Sequence, residues 1–116
     1  MAFRGIKRRR DFTQAYREGV KVHGRLMVVF LRWREGESGP RLGITATRRV
    51  GGAVVRNRCR RRVRALAKWG EELVGNLPLD VVVKVKKELA EAPWAELVAE
   101  FVRCLEKGMS RVGPRA

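Results

Sequence analysis

Gly43-Ile44-Thr45-Ala46-Thr47-Arg48-Arg49-Val50-Gly51-Gly52-Ala53-Val54-Val55-Arg56-Asn57-Arg58-Cys59-Arg60-Arg61-Arg62-Val63-Arg64 is the stretch whose reading settles the architecture. Its start alternates. From Arg41 to Thr47, Leu42, Ile44 and Ala46 share one side and Gly43, Thr45 and Thr47 the other, which predicts a strand. Arg48-Arg49 then leads into Gly51-Gly52, read either as a plain turn before a helix or as amides aimed at a phosphate. Ala53 to about Trp69 has helical spacing. At ~100° per residue, Val55, Cys59, Val63, Leu66 and Trp69 fall on one stripe, and Arg56, Asn57, Arg60, Arg61, Arg64 and Lys68 spread over the opposite side. Arg62 projects close to the stripe. Either it runs its stem along the seam's edge, or the stripe is narrower than drawn. Positions 56–64 hold six arginines. Like charges at i, i+4, such as Arg56/Arg60 and Arg60/Arg64, each cost a few tenths of a kcal/mol, a cost that phosphates would neutralise.

Working outward, residues 1–5 and 109–116 read as loose tails. Lys7 to Arg17 reads as a short helix ended by Gly19, with Phe12 and Tyr16 on one face. Val20 to Trp33 is extended and divided at Gly24. In its longer part, Leu26, Val28 and Phe30 face one way and Met27, Val29, Leu31 and Trp33 the other. Both sides are apolar, so this strand is expected to be central and covered on both faces. Glu35 to Pro40 is a turn. Leu79 to Lys86 is a strand with Leu79, Val81, Val83 and Val85 inward. Pro93 opens a last helix whose core face is Trp94, Leu97, Val98, Phe101 and Leu105, ended by Gly108. The order α-β-β-β-α-β-α gives a single α+β domain, a central mixed sheet packed by helices. A strand–helix–strand unit around the arginine helix makes its two strands parallel neighbours.

Composition narrows the function. In 116 residues, 27 Lys+Arg face 12 Asp+Glu, a net charge of +15. Residues 1–64 carry 19 basic and 4 acidic side chains, and residues 65–116 are balanced, so the whole excess lies in the first part. Such a charge repels itself and calls for a polyanion, nucleic acid before membrane surface. Arginine outnumbers lysine 20 to 7, which suits phosphate recognition, although a GC-rich genome produces the same bias. The longest apolar run, Leu26 to Leu31, is far short of the ~20 residues of a membrane span, and no signal peptide is evident. Cys59 and Cys104 have no CxxC partner, which disfavours zinc and disulfides and suits a reducing cytosol. His23 is the lone histidine, Asp11 and Asp80 make no obvious pair, and the glutamates of the last helix read as solvated charges. No phosphate-binding GxxxxGK[ST] loop is present. No catalytic residue and no metal site are expected in the chain. Phe12, Tyr16 and Phe30 either line a groove that stacks unpaired bases or fill a helix–sheet interface; Tyr16 is the best placed for partial exposure. The composition also permits a ribosomal protein or an RNA chaperone, whereas a self-sufficient nuclease lacks candidate groups.

The strand, basic pair, glycine turn and Arg-Asn-Arg-x-Arg-Arg-x-x-Arg block closely resemble the signature of the bacterial ribonuclease P protein subunit. The likeness extends over residues 6–107, through Asp11-Phe12, Tyr16 and Gly19 in the first helix and Asp80 to Lys86 in the last strand. It implies a left-handed strand–helix–strand crossover, against the general rule. It implies a cytoplasmic 1:1 ribonucleoprotein, with no membrane partner, in which a catalytic RNA with bound Mg2+ removes the 5′ leader of precursor tRNA while the protein binds that RNA and holds the leader. By position, the RNA-facing residues are Arg48, Arg49, Arg56, Asn57, Arg58, Arg60, Arg61 and Arg64, and the leader cleft is Phe12, Tyr16, Val28, Phe30, Thr45 and Arg56. The chain departs from the family at Arg62, often apolar there, and at Thr45 and Thr47, which replace serines.

Overall fold

The alternating and helical segments assemble in a computed structural model that describes residues 3–36 and 39–113. The elements are β1 (Arg4–Gly5), α1 (Arg9–Glu18), β2 (Val20–His23), β3 (Met27–Trp33), β4 (Arg41–Thr45), α2 (Ala53–Val74), β5 (Leu79–Val85), a 3-10 helix (Lys87–Glu91) and α3 (Trp94–Met109). The sheet runs β1-β4-β5-β3-β2. β4 and β5 are parallel neighbours joined by α2, as the strand–helix–strand reading requires. β3 pairs antiparallel with β5 and with β2, so the sheet is mixed.

The pleat of β3 explains the layering. Met27, Val29 and Leu31 point into the main core, where Val81, Val83 and Val85 of β5 meet Cys59, Val63 and Leu66 of α2 and Leu97, Phe101 and Leu105 of α3. Val28 and Phe30 point to the opposite side and join Val82, Ile6 and Ala15 in a smaller cluster under α1. β3 is thus covered on both faces, as its double apolar pattern predicts. Leu26 departs from that pattern. It precedes β3 and packs in the main core.

The N-terminus also departs from expectation. Residues 3–5 are not loose. β1 lies parallel to β4, with Arg4 N–H donating to Pro40 O at 3.1 Å and Ile6 N–H to Leu42 O at 2.9 Å. These bonds occupy the outer edge of β4, which would otherwise present unpaired backbone groups. At the other end, Gly108 does not stop α3. It is buried within the helix, which continues to Met109, and Val112 then packs on the core. Residues 1–2 and 114–116 of the expected tails, and 37–38 of the expected turn, lie outside the described residues.

The stripe on α2 is corrected at its C-terminal end. Trp69 is 45% exposed, and Gly70 takes the inward position. A Cβ at Gly70 would stand 2.6 Å from Leu105 Cδ1, so a side chain there would have to push Leu105 of α3 out of its core position. The indole is displaced to the flank, where Lys68 Nζ sits 5.6 Å from its ring centroid.

Candidate nucleic-acid interface

Strand register sorts the α1 face of the sheet into three cross-strand rows. The first is Arg41–Asp80–Arg32, the second Gly43–Val82–Phe30–Lys21, the third Thr45–Lys84–Val28–His23. α1 covers the second row. Phe12 lies directly over Gly43, where a Cβ would come within 2.7 Å of the ring. Phe30 is 5% exposed, and the Tyr16 ring meets it edge-on with centroids 4.8 Å apart. Tyr16 also shares a hydrogen bond with Thr45 Oγ1. Tyr16, 38% exposed, is therefore the boundary at which cover stops. Beyond it the third row is open: Lys84 and His23 are exposed, and Thr45 is half-buried beside them. Of the three aromatics, Phe12 and Phe30 chiefly fill the interface, and Tyr16 presents a ring to solvent.

The first row is closed. Asp80 is fully buried, and Arg41 grips it with two bonds of 2.7 Å, Nε to Oδ1 and Nη2 to Oδ2. Arg34 Nε lies 3.0 Å from Oδ1 and Arg32 Nη1 3.7 Å from Oδ2. The hydrogen bonds it donates to Asp80 push the Arg41 guanidinium still further above its ordinary value. A carboxylate in a dry sheet is costly unless paired this fully.

The open row continues into the β4–α2 connection. Arg48, Arg49, Lys84, Lys86 and Lys87, against Glu88, border a cleft of about 720 Å³. Lys86 is partly committed, because its Nζ donates to Gly24 O at 2.6 Å. Lys84 belongs to both the cleft and the open row, so the two are one surface.

On α2 the arginines divide by flank. Arg58 and Arg62 face the 3-10 helix and the start of α3. Arg62 Nη1 donates to Leu89 O at 2.6 Å and Ala90 O at 2.9 Å, and Nη2 to Ala92 O at 2.6 Å. Its guanidinium also lies 6.0 Å from the Trp94 ring centroid. Arg58 Nε donates to Ala90 O at 2.9 Å, and its Nη2 is 3.3 Å from Glu91. Arg62 was the anomaly of the stripe. It is a clamp on the carbonyls at the end of the 3-10 turn, where Leu89 O otherwise accepts only a long 3.4 Å bond from Ala92 N–H. Arg48, Arg49, Arg61 and Arg64 make no hydrogen bond or ion pair among the described residues, and Arg60 is bonded only to Asn57 Oδ1, at 2.9 Å. Arg56 is half-buried with its Nε enclosed and unbonded among those residues.

Sequence reasoning missed Arg32, Arg34, Arg41 and Asp80 as one knot, and it misread Glu100. That side chain is not a solvated charge. It is 4% exposed and accepts the N–H groups of Arg25 (2.9 Å), Leu26 (2.7 Å) and Met27 (3.0 Å). A signal was present in both cases. Asp80 is a carboxylate set against the apolar run Val81–Val83 inside a strand, and Glu100 sits between Leu97 and Cys104 on the inward face of α3.

Chemically, the described residues offer phosphate-directed cations, one exposed ring and no converging set of three His, Cys, Asp or Glu side chains. Asp80 and Glu100, the buried carboxylates, are saturated by their partners. Burial pushes the thiols of Cys59 and Cys104 up, in Cys59 against the lowering influence of Arg62, Arg58 and Arg60. No helix among the described residues is long and apolar enough to cross a membrane. Fold and site together define a small cationic α+β platform for a polyanion.

Comparison with known proteins gives that class a family. Residues 2–108 match the family model described as Ribonuclease P. The chain is similar to the ribonuclease P protein component of Acidothermus cellulolyticus, 41% identical over 101 residues, 86% of this chain and 83% of the relative. It is 36% identical over 112 residues to that of Streptomyces avermitilis, covering 88% and 89%. Among solved structures, the RNase P protein of Thermotoga maritima superposes with a TM-score of 0.76 at 26% identity, covering 88% of this chain and 94% of that one. The Staphylococcus aureus RNase P protein shares the fold, with a TM-score of 0.76 at 24% identity and coverage of 92% and 94%. The chain belongs to the ribonuclease P protein family.

Proposed function

We propose that this chain is the protein subunit of a cytoplasmic bacterial ribonuclease P, one copy per catalytic RNA, and that it assists removal of the 5′ leader from precursor tRNA. The observation that carries this reading is the continuity of the open sheet row, through Lys84, with the Arg48–Arg49 cleft and the outward arginines of α2. The geometry supports a division of labour. Arg48, Arg49, Asn57, Arg60, Arg61 and Arg64 meet phosphates of the catalytic RNA, with the half-exposed Arg58 beside them. Unpaired leader nucleotides cross the open row, where the Tyr16 ring offers a stacking face worth ~1–3 kcal/mol per base. Val28 and Phe30 floor this path, Phe12 props α1 above it, and Thr45 orients Tyr16. The unbonded Nε of Arg56 supplies a donor between the two surfaces. In this reading the Mg2+ of the reaction belongs to the RNA.

Reconstitution with a bacterial ribonuclease P RNA tests this. The protein is expected to raise cleavage of precursor tRNA at low Mg2+ and to favour precursor over mature tRNA. Tyr16→Ala is expected to erode that preference about tenfold while assembly with the RNA persists. Cleavage by the protein alone, or a holoenzyme indifferent to the leader, would refute it.

A further inference from the structure

A second groove lies on the opposite face of the sheet, between its outer edge and α2, with a volume of about 560 Å³. Its floor is Leu42 and Ile44, the β4 residues that alternate with Gly43 and Thr45 and so face away from the open row. Both stay half-buried, because β1 is only two residues long. Phe3, packed against the core, closes one end, and Ala67 of α2 leaves room where a larger side chain would fill it. The lip carries Arg4, Arg64 and Lys68 against one carboxylate, Glu71. Arg64 also borders the outer α2 surface of Val54, Asn57, Arg60 and Arg61, so this groove and that cationic surface share a residue and form one tract.

An apolar floor under a cationic lip fits a flat apolar body bearing an anion. We infer that the groove takes one unpaired nucleotide of the catalytic RNA, its base against Leu42, Ile44 and Phe3 and its phosphate between Arg64 and Lys68. The charge argues for RNA over a protein occupant: Arg4, Arg64 and Lys68 outweigh Glu71 around the groove, and it continues a surface whose Arg61 and Arg64 make no ion pair among the described residues. The floor holds no polar side chain, so base identity is not read there; the site selects a bulged or single-stranded nucleotide by shape. This inference rests on the proposed function, since it adds a contact to the same RNA.

The test uses the reconstituted holoenzyme with a photo-crosslinking benzophenone side chain placed at position 65, on the groove, or at position 54, on the outer face of α2. Position 65 is expected to crosslink to an unpaired nucleotide of the catalytic RNA, distinct from the position 54 site. Crosslinking from position 54 but not 65, or from 65 only to a second copy of the protein, would overturn the groove and leave the proposed function standing. Silence at both positions would overturn both. As a second measurement, Ala67→Phe fills the groove without removing a cation. It should weaken RNA binding about tenfold with an unchanged salt slope, whereas Lys68→Ala should reduce that slope by about one. Unchanged affinity in a folded Ala67→Phe variant would also refute the groove.

Discussion

The two flanks of α2 are both rich in arginine and use it in opposite ways. Toward the 3-10 helix, Arg58 and Arg62 are bonded to the carbonyls of Leu89, Ala90 and Ala92. Toward the sheet edge and solvent, Arg61 and Arg64 are left without internal partners among the described residues. The same contrast crosses the sheet: three arginines close on Asp80 at one end of the α1 face, while Lys84 lies open at the other. A high arginine count therefore describes two populations, one that holds the fold and one held in reserve for a polyanion. Like charges are tolerated along a single helix because each population has its own counter-charge, carbonyl dipoles inside and, in the proposed function, phosphates outside.

Breaking the internal population should give the largest effect. Asp80→Asn leaves buried guanidinium groups short of their charge and is expected to cost about 3–5 kcal/mol of stability, read by urea denaturation. Arg62→Met removes three carbonyl bonds and should cost about 2 kcal/mol. If Arg62 is a clamp and not a phosphate contact, the slope of log affinity for RNA against log salt will stay as in the native protein. Arg61→Met is the mirror case, with an unfolding midpoint unchanged and a salt slope lower by about one. An Arg62 variant that lost salt slope, or an Arg61 variant that unfolded early, would erase the distinction between flanks. Tyr16→Phe loses the bond to Thr45 but keeps the ring, and should cost about 1 kcal/mol at most, with leader preference intact. The smallest effect concerns Cys59. Although arginines surround it, burial dominates and keeps the thiol protonated at neutral pH, so a thiol reagent should label Cys59 and Cys104 only as fast as the protein opens.

Much of this architecture is legible in the residues. The double alternation of 26–33 requires a strand covered on both sides, and the glycine turn followed by helical spacing from Ala53 requires a crossover helix beside parallel strands. What could not be read depends on distance between elements. Whether Trp69 or Gly70 faces inward is decided by how closely α3 crosses α2. Arg62 makes sense only once the 3-10 turn, which has no periodicity to reveal it, brings three carbonyls to one place. The tract from Tyr16 to Lys84 was half legible. The aromatic spacing marks α1, but the row that adds Lys84 and His23 exists only in the strand register.

The Glu100 carboxylate carries a consequence for biogenesis. It accepts the amide hydrogens of 25–27, the corner where β2 turns into β3, from a helix more than seventy residues downstream. A ribosome that has released residues 1–64 has made the whole net positive charge and none of the group that secures this corner. The nascent protein is at its most adhesive to RNA before its sheet is able to lock, so completing the last helix both finishes the scaffold and ends the interval in which the chain adheres indiscriminately.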